Sequence, residues 1–101
     1  MYMEKYVYYG MLFDIYQGLL KDSNKEIFKW YYDENLTLQE IADNLGVSKS
    51  YIGRIIKNTE KKLDELESTL HIYENKNKIK KLLEMNDIDK IKEELKKIFE
   101  N

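Results

Sequence analysis

Cysteine is absent from this 101-residue chain, and so is proline. The first absence rules out a disulfide framework, a thiol nucleophile and any cysteine-based metal site. The second, together with only four glycines, leaves helical patterns to be ended by caps and turns alone. His71 is the single histidine and has no second imidazole with which to share a metal, which removes most zinc and triad chemistry. The longest apolar run is far short of a membrane span. No secretory pattern opens the chain, and no glycine-rich phosphate loop occurs in it. Paired acids such as Glu93–Glu94 and Asp64–Glu65 sit on charged faces with lysines nearby, which solvation explains. The expectation is a non-enzymatic, cytoplasmic, helical protein with no catalytic residue, cofactor, metal or membrane partner.

Acids outnumber cations slightly, for a net charge of −2, and the distribution says more than the total. Residues 1–47 carry net −4, residues 48–62 net +4, residues 63–75 net −4, residues 76–81 net +4 and the last twenty −2. Positive charge is thus gathered in two short segments.

The first of these lies in LTLQEIADNLGVSKSYIGRIIKNTEKK, Leu36–Lys62. Thr37 followed by Glu40 forms a capping box. Behind it Leu38, Ile41, Ala42 and Leu45 share one helical face. Gly46 suits a positive φ at a helix end, Val47 can tuck inward, and Ser48 caps a second helix. That helix carries Lys49, Ser50, Tyr51 and Arg54 opposite Ile52, Ile55 and Ile56. Two capped helices joined by so short a turn make a helix-turn-helix, whose second helix offers its first turns to the major groove. Ala42 marks the close crossing of the pair. Ser48, Lys49, Ser50, Tyr51, Arg54 and Lys57 are the candidate nucleic-acid-binding residues.

Upstream, residues 4–20 read as a helix with a stripe of Tyr2, Tyr6, Tyr9, Leu12, Phe13, Tyr16, Leu19 and Leu20. Gly10 and Gly18 within it point to close approach of another helix. Ser23 with Glu26 reads as a capping box opening a helix through Ile27, Phe28, Trp30 and Tyr31, and Asp33–Asn35 as a polar turn. Downstream, Ile52, Ile56, Thr59, Leu63, Leu66, Leu70 and Tyr73 recur at 4-3-4-3-4-3 spacing, an a/d seam. A continuous helix from Lys49 to Glu74 would be about 39 Å long. Two weaker segments follow, one at Lys76–Glu84 and one from Ile88 capped by Asp87. The fold class is therefore all-α: a trihelical helix-turn-helix core with a long recognition helix and one or two C-terminal helices. Residues 1–101 form one domain, with the helix-turn-helix at 37–62 and the extension at 63–101.

Three stretches carry a family resemblance: LFDIY and LL (Leu12–Tyr16, Leu19–Leu20), WYY with its acidic turn (Trp30–Asn35), and LTLQEIADNLGVSKSYIGRIIKNTE. With the leucine-rich acidic helix that follows, they resemble the YlxM-like family of small bacterial helix-turn-helix proteins over nearly the whole chain. The motif also looks like the DNA-binding fourth region of sigma-70-type factors. The resemblance implies a regulatory role in signal recognition particle-dependent targeting, with Ser48–Tyr51 opening the recognition helix and Lys57 on its later turn. The chain departs from the family at Lys49–Ser50, where Arg-Gln is usual, and at Gly53–Arg54, where an aromatic–acidic pair is common. The first change keeps charge but loses the planar fork that reads guanine.

The expected partner is DNA or, alternatively, the protein or RNA of the signal recognition particle. A seam longer than a trihelical domain can cover also predicts a homodimer, with an antiparallel pair inside one chain as the alternative. Its interface is expected at Leu63, Leu66, Leu70, Ile88, Ile91, Leu95 and Ile98, with Asp64, Glu65 and Glu67 meeting lysines of the other chain.

Overall fold

The tyrosines of the first helix and the acids of the seam, which read separately in the sequence, meet in the fold. The structure, a computed structural model, describes residues 4–100, so Tyr2 lies outside the described residues. Six α-helices follow one another without a strand among the described residues: α1 Lys5–Tyr16, α2 Asp22–Tyr32, α3 Leu38–Leu45, α4 Lys49–Leu70, α5 Ile72–Leu82 and α6 Ile88–Glu100. A 3-10 turn, Gln17–Leu19, separates α1 from α2. Helices α1, α2 and α3 pack around α4, α5 packs on α1 and α4, and α6 packs on α5. The molecule is elongated, 58 × 23 × 20 Å.

Leu12, Phe13, Ile27, Phe28, Ile41, Ala42, Ile52, Ile56 and Leu63 form the buried core, with Tyr16 and Tyr32 at its margin. Phe28 stacks on Tyr32 at 4.3 Å between centroids and meets Phe13 at 5.2 Å. The seam expected on α4 is therefore real but satisfied within the chain as far as Leu63, which has no exposed surface. Leu66 is half-covered against the same core. Leu63 thus drops out of any interface between chains.

The helix that starts at Lys49 does not run on to Glu74. It ends at Leu70, because His71 adopts a left-handed conformation (φ 54°) and the chain turns back into α5. A straight continuation would carry Tyr73 past the core. The turn brings its ring edge-on to Tyr8, 5.6 Å between centroids. The start of α5 has no side-chain cap of its own, and its first amides are satisfied from elsewhere. The Ile72 N–H donates to the Tyr16 hydroxyl (3.3 Å), the Tyr73 N–H to Glu67 Oε1 (3.0 Å) and the Glu74 N–H to Glu67 Oε2 (3.0 Å). The Tyr16 hydroxyl in turn donates to Glu67 Oε1 at 2.7 Å. One carboxyl group of α4 thus caps α5 and holds α1.

The same pairing repeats along α4. The Tyr9 hydroxyl donates to Asp64 at 2.8 Å and that of Tyr32 to Glu60, which also takes Lys5 Nζ at 3.3 Å. Glu60, Asp64 and Glu67 lie at i, i+4 and i+7, on the face turned toward α1 and α2. Asp64 and Glu67 therefore face tyrosines of their own chain rather than lysines of another.

Several further expectations are corrected. The first helix stops at Tyr16 rather than running through residue 20. A Cβ built on Gly10 or Gly18 meets nothing within 4 Å, so neither glycine answers to a close helix. Ser23 lies inside α2, whose N-cap is Lys21 without a side-chain bond. The capping box read there does not form, since the first turn starts two residues too early for it. Helix α5 begins at Ile72, ahead of the expected Lys76. By contrast, α6 starts at Ile88 with the Lys90 N–H donating to Asp87 Oδ1 at 3.2 Å, the expected cap.

Tyr16→Phe is expected to cost about 1–3 kcal/mol, because it leaves Glu67 and the Ile72 amide short of a partner. Burial, then the bond to Glu67, pushes the Tyr16 phenol up from 10.0 to about 12. The folded form holds that proton more tightly than the unfolded chain does. The contribution is thus complete below pH 10 and falls away between about pH 10 and 12. Urea midpoints at pH 8 and pH 11.5 should fall less in Tyr16→Phe than in the unmodified protein; an equal fall would remove Tyr16 from this linkage.

Candidate nucleic-acid interface

The polar face of the helix pair is built by local hydrogen bonds written in the sequence. The Thr37 hydroxyl accepts from the Glu40 N–H (3.1 Å) while the Glu40 carboxyl accepts from the Thr37 N–H (3.0 Å), closing the capping box. At the other end of α3, Gly46 sits at φ 68°. The Val47 N–H reaches the Ala42 carbonyl at 3.0 Å and the Gly46 N–H that of Asp43 at 3.4 Å, a Schellman closure. Ser48 Oγ then accepts from the Tyr51 N–H at 3.0 Å and starts α4. Ile41 and Ala42 are fully buried at the α3–α4 crossing, whereas Val47, expected to turn inward, is 39 % exposed. Its amide closes the turn while its side chain stays at the rim. Gly53 faces Leu38 across the crossing, where an added Cβ would be in ordinary contact at 3.9 Å. Space alone does not demand a glycine there.

Ser48, Lys49, Ser50, Tyr51, Arg54 and Lys57 are all exposed. Ser50, Arg54 and Lys57 fall at i, i+4 and i+7 on the side of α4 away from the core. Lys61, at i+11, extends the row. It belongs with these residues although only its charge, and not its place in the row, counted in the sequence. The Arg54 guanidinium lies 5.9 Å from the centroid of the Tyr51 ring, an exposed cation–π contact that orients it.

The charge pattern follows from the core. Lys5, Lys78, Lys96 and Lys97 each pair with a carboxylate. Among the described residues Lys49, Arg54, Lys57 and Lys61, like most cations of the chain, have no such partner. The acids closest in sequence, Glu60 and Asp64, border this row on its α1–α2 side, Asp64 at i+7 from Lys57, and accept hydrogen bonds from tyrosines. The row itself gathers Arg54, Lys57 and Lys61, with Lys49 beside them, in a chain that is acidic overall.

One group of metal-ligating types exists among the described residues: Glu67, His71 and Glu74, with ligand atoms within 4.8 Å of one another. Both Glu67 oxygens already accept hydrogen bonds, and His71 Nδ1 lies 3.0 Å from Glu74. The group closes the α4–α5 elbow and lies away from the recognition face. No helix among the described residues is long and apolar enough to cross a membrane.

Comparison with known proteins agrees with this geometry. A family described as "Putative helix-turn-helix protein, YlxM / p13 like" matches residues 3–101. The chain belongs to this family, UPF0122. A UPF0122 protein of Fusobacterium nucleatum is 36% identical over 101 residues, covering 100% of this chain and 98% of its own. A probable UPF0122 protein of Mycoplasma mycoides is 39% identical over 90 residues, 86% of this chain and 80% of its own. One from Clostridium botulinum is 34% identical over 91 residues, 90% and 83% respectively. The UPF0122 match thus spans the helix-turn-helix and both C-terminal helices.

Gly46→Val is expected to destabilise the protein by about 1–3 kcal/mol, because a β-branched residue must hold a left-handed conformation. Ala42→Leu should cost a similar ~1–3 kcal/mol by overpacking the crossing. Thermal melts of the two variants check both, and unchanged midpoints would contradict the turn and the crossing in turn.

Proposed function

We propose that the protein is a non-enzymatic regulator that binds nucleic acid through the exposed face of α4. One observation carries the reading: a row of exposed cations without carboxylate partners on a capped helix-turn-helix. Lys49, Arg54, Lys57 and Lys61 meet phosphates, while Ser50 and Tyr51 stand nearest to base edges in a major groove. The chain works as a homodimer, so that two recognition helices address one duplex. By the YlxM-like resemblance, its place is the regulation of signal recognition particle-dependent targeting in the cytoplasm.

A second reading keeps the surface and changes the ligand. Lys49–Ser50 lacks the bidentate fork that reads guanine, and the net charge of −2 disfavours general affinity for duplexes. On this reading the α4 face docks on the RNA or protein of the signal recognition particle, with no DNA operator.

Binding titrations against random duplex DNA and against signal recognition particle RNA, each at several salt concentrations, separate the two. Replacing Lys49, Arg54 and Lys57 by alanine should weaken binding to all duplex sequences alike and flatten the log–log salt slope by about 0.9 per lost contact. A triple variant with an unchanged slope would remove this face from the binding surface.

A further inference from the structure

Helix α6 has no buried residue and packs chiefly on α5. The five-residue connection Leu83–Asp87 between the two makes them an antiparallel hairpin. Across it, Leu82 is buried and Ile91 and Ile98 are half-covered, so these side chains mark the contact line. Ile91 and Ile98, expected from the sequence at an interface between chains, are thus spent within the hairpin.

Other apolar side chains remain. Ile72 and Ile79 on α5 and Leu83 at its C-cap are spaced +7 and +4, and so are Ile88, Leu95 and Phe99 on α6. Leu83 is 83%, Ile88 66% and Phe99 92% exposed, and the other three are 42–46% exposed. At about 100° per residue, each row lies roughly a quarter turn from its helix's contact line, in the same rotational sense. In an antiparallel pair that places both rows on one side of the hairpin. Leu70, Ile72 and Ile79, with Asn75 and Lys76, line an open and mainly apolar groove of about 340 Å³.

Counting Leu70, the exposed portions equal about four whole side chains, each ~150–250 Å² if as large as an aromatic ring. The sum is on the order of the ~800 Å² per partner of a stable interface, and above the largest patch of an ordinary monomer, ~300–600 Å². Charge and shape choose the arrangement. Helix α5 holds four lysines and one acid, whereas α6 holds four of each, so α5 against a second α5 is the repulsive pairing. A two-fold axis parallel to the hairpin sets α5 opposite α6 of the other copy. It also brings Phe99 to the end of the hairpin where the Leu70–Ile79 groove lies.

We infer that two copies pair through this face into an antiparallel four-helix bundle, with Phe99 of each seated in the Leu70–Ile79 groove of the other. The inference rests on the dimeric reading above and names its surface. Light scattering of the unmodified protein at tens of micromolar should give the mass of two chains. Leu83→Glu with Phe99→Glu, both at exposed positions, should raise the dimer dissociation constant at least about tenfold with an unchanged helical circular dichroism spectrum. Because the chain has no cysteine, Phe99→Cys and Ile79→Cys chains mixed under oxidation should form the mixed disulfide. A single-chain mass for the unmodified protein would overturn both this inference and the dimeric reading. A dimer indifferent to the two glutamates would overturn the face alone. Disulfides only between identical chains would overturn the pairing of α5 with α6.

Discussion

The carboxyl group of Glu67 ties three helices at one point. It accepts from the Tyr16 hydroxyl of α1 and from two backbone amides at the start of α5, while its own backbone belongs to α4. A group this buried is tolerated only because its lone pairs are filled. The amides it fills would otherwise be unmet, since His71 supplies no cap. The helix dipole adds to the bond, because the N-terminus of α5 carries partial positive charge. Without this contact, α5 would lose both its cap and a principal attachment to the core, and α6 hangs on α5.

The same economy shapes the electrostatics. Glu60, Asp64 and Glu67 are drawn to the tyrosines of α1 and α2, and the cationic row of α4 runs beside them. That row concentrates positive charge in an acidic chain. Burial and the neighbouring carboxylates push the Tyr9 and Tyr32 phenols above their ordinary value. Their hydroxyls therefore stay donors through the physiological range, and the acids stay occupied.

The molecule has two ends with different chemistry. The three helices around α4 fix the recognition face rigidly, through caps and a dense aromatic core. The α5–α6 hairpin buries little and leaves its apolar rows free. Along the 58 Å length, the proposed nucleic-acid contact and the proposed pairing between copies fall on separate surfaces.

The helix-turn-helix was legible in the sequence because its determinants are local. The Thr37–Glu40 box, the Gly46 turn and the Ser48 cap each join residues within five positions of one another, so composition and spacing suffice to specify them. The exposure of Ser48, Lys49, Ser50, Tyr51, Arg54 and Lys57 followed from the same periodicity. The elbow at His71 was not legible, since its cap comes from Glu67 in another helix and from Tyr16, which is 51 residues from Glu67. No spacing rule reaches that far. The seam was visible as a period, yet the period could not say whether Leu63 met its own chain or another. Only the docking of α1 and α2 decided that, by covering α4 as far as Leu63 and leaving the hairpin bare.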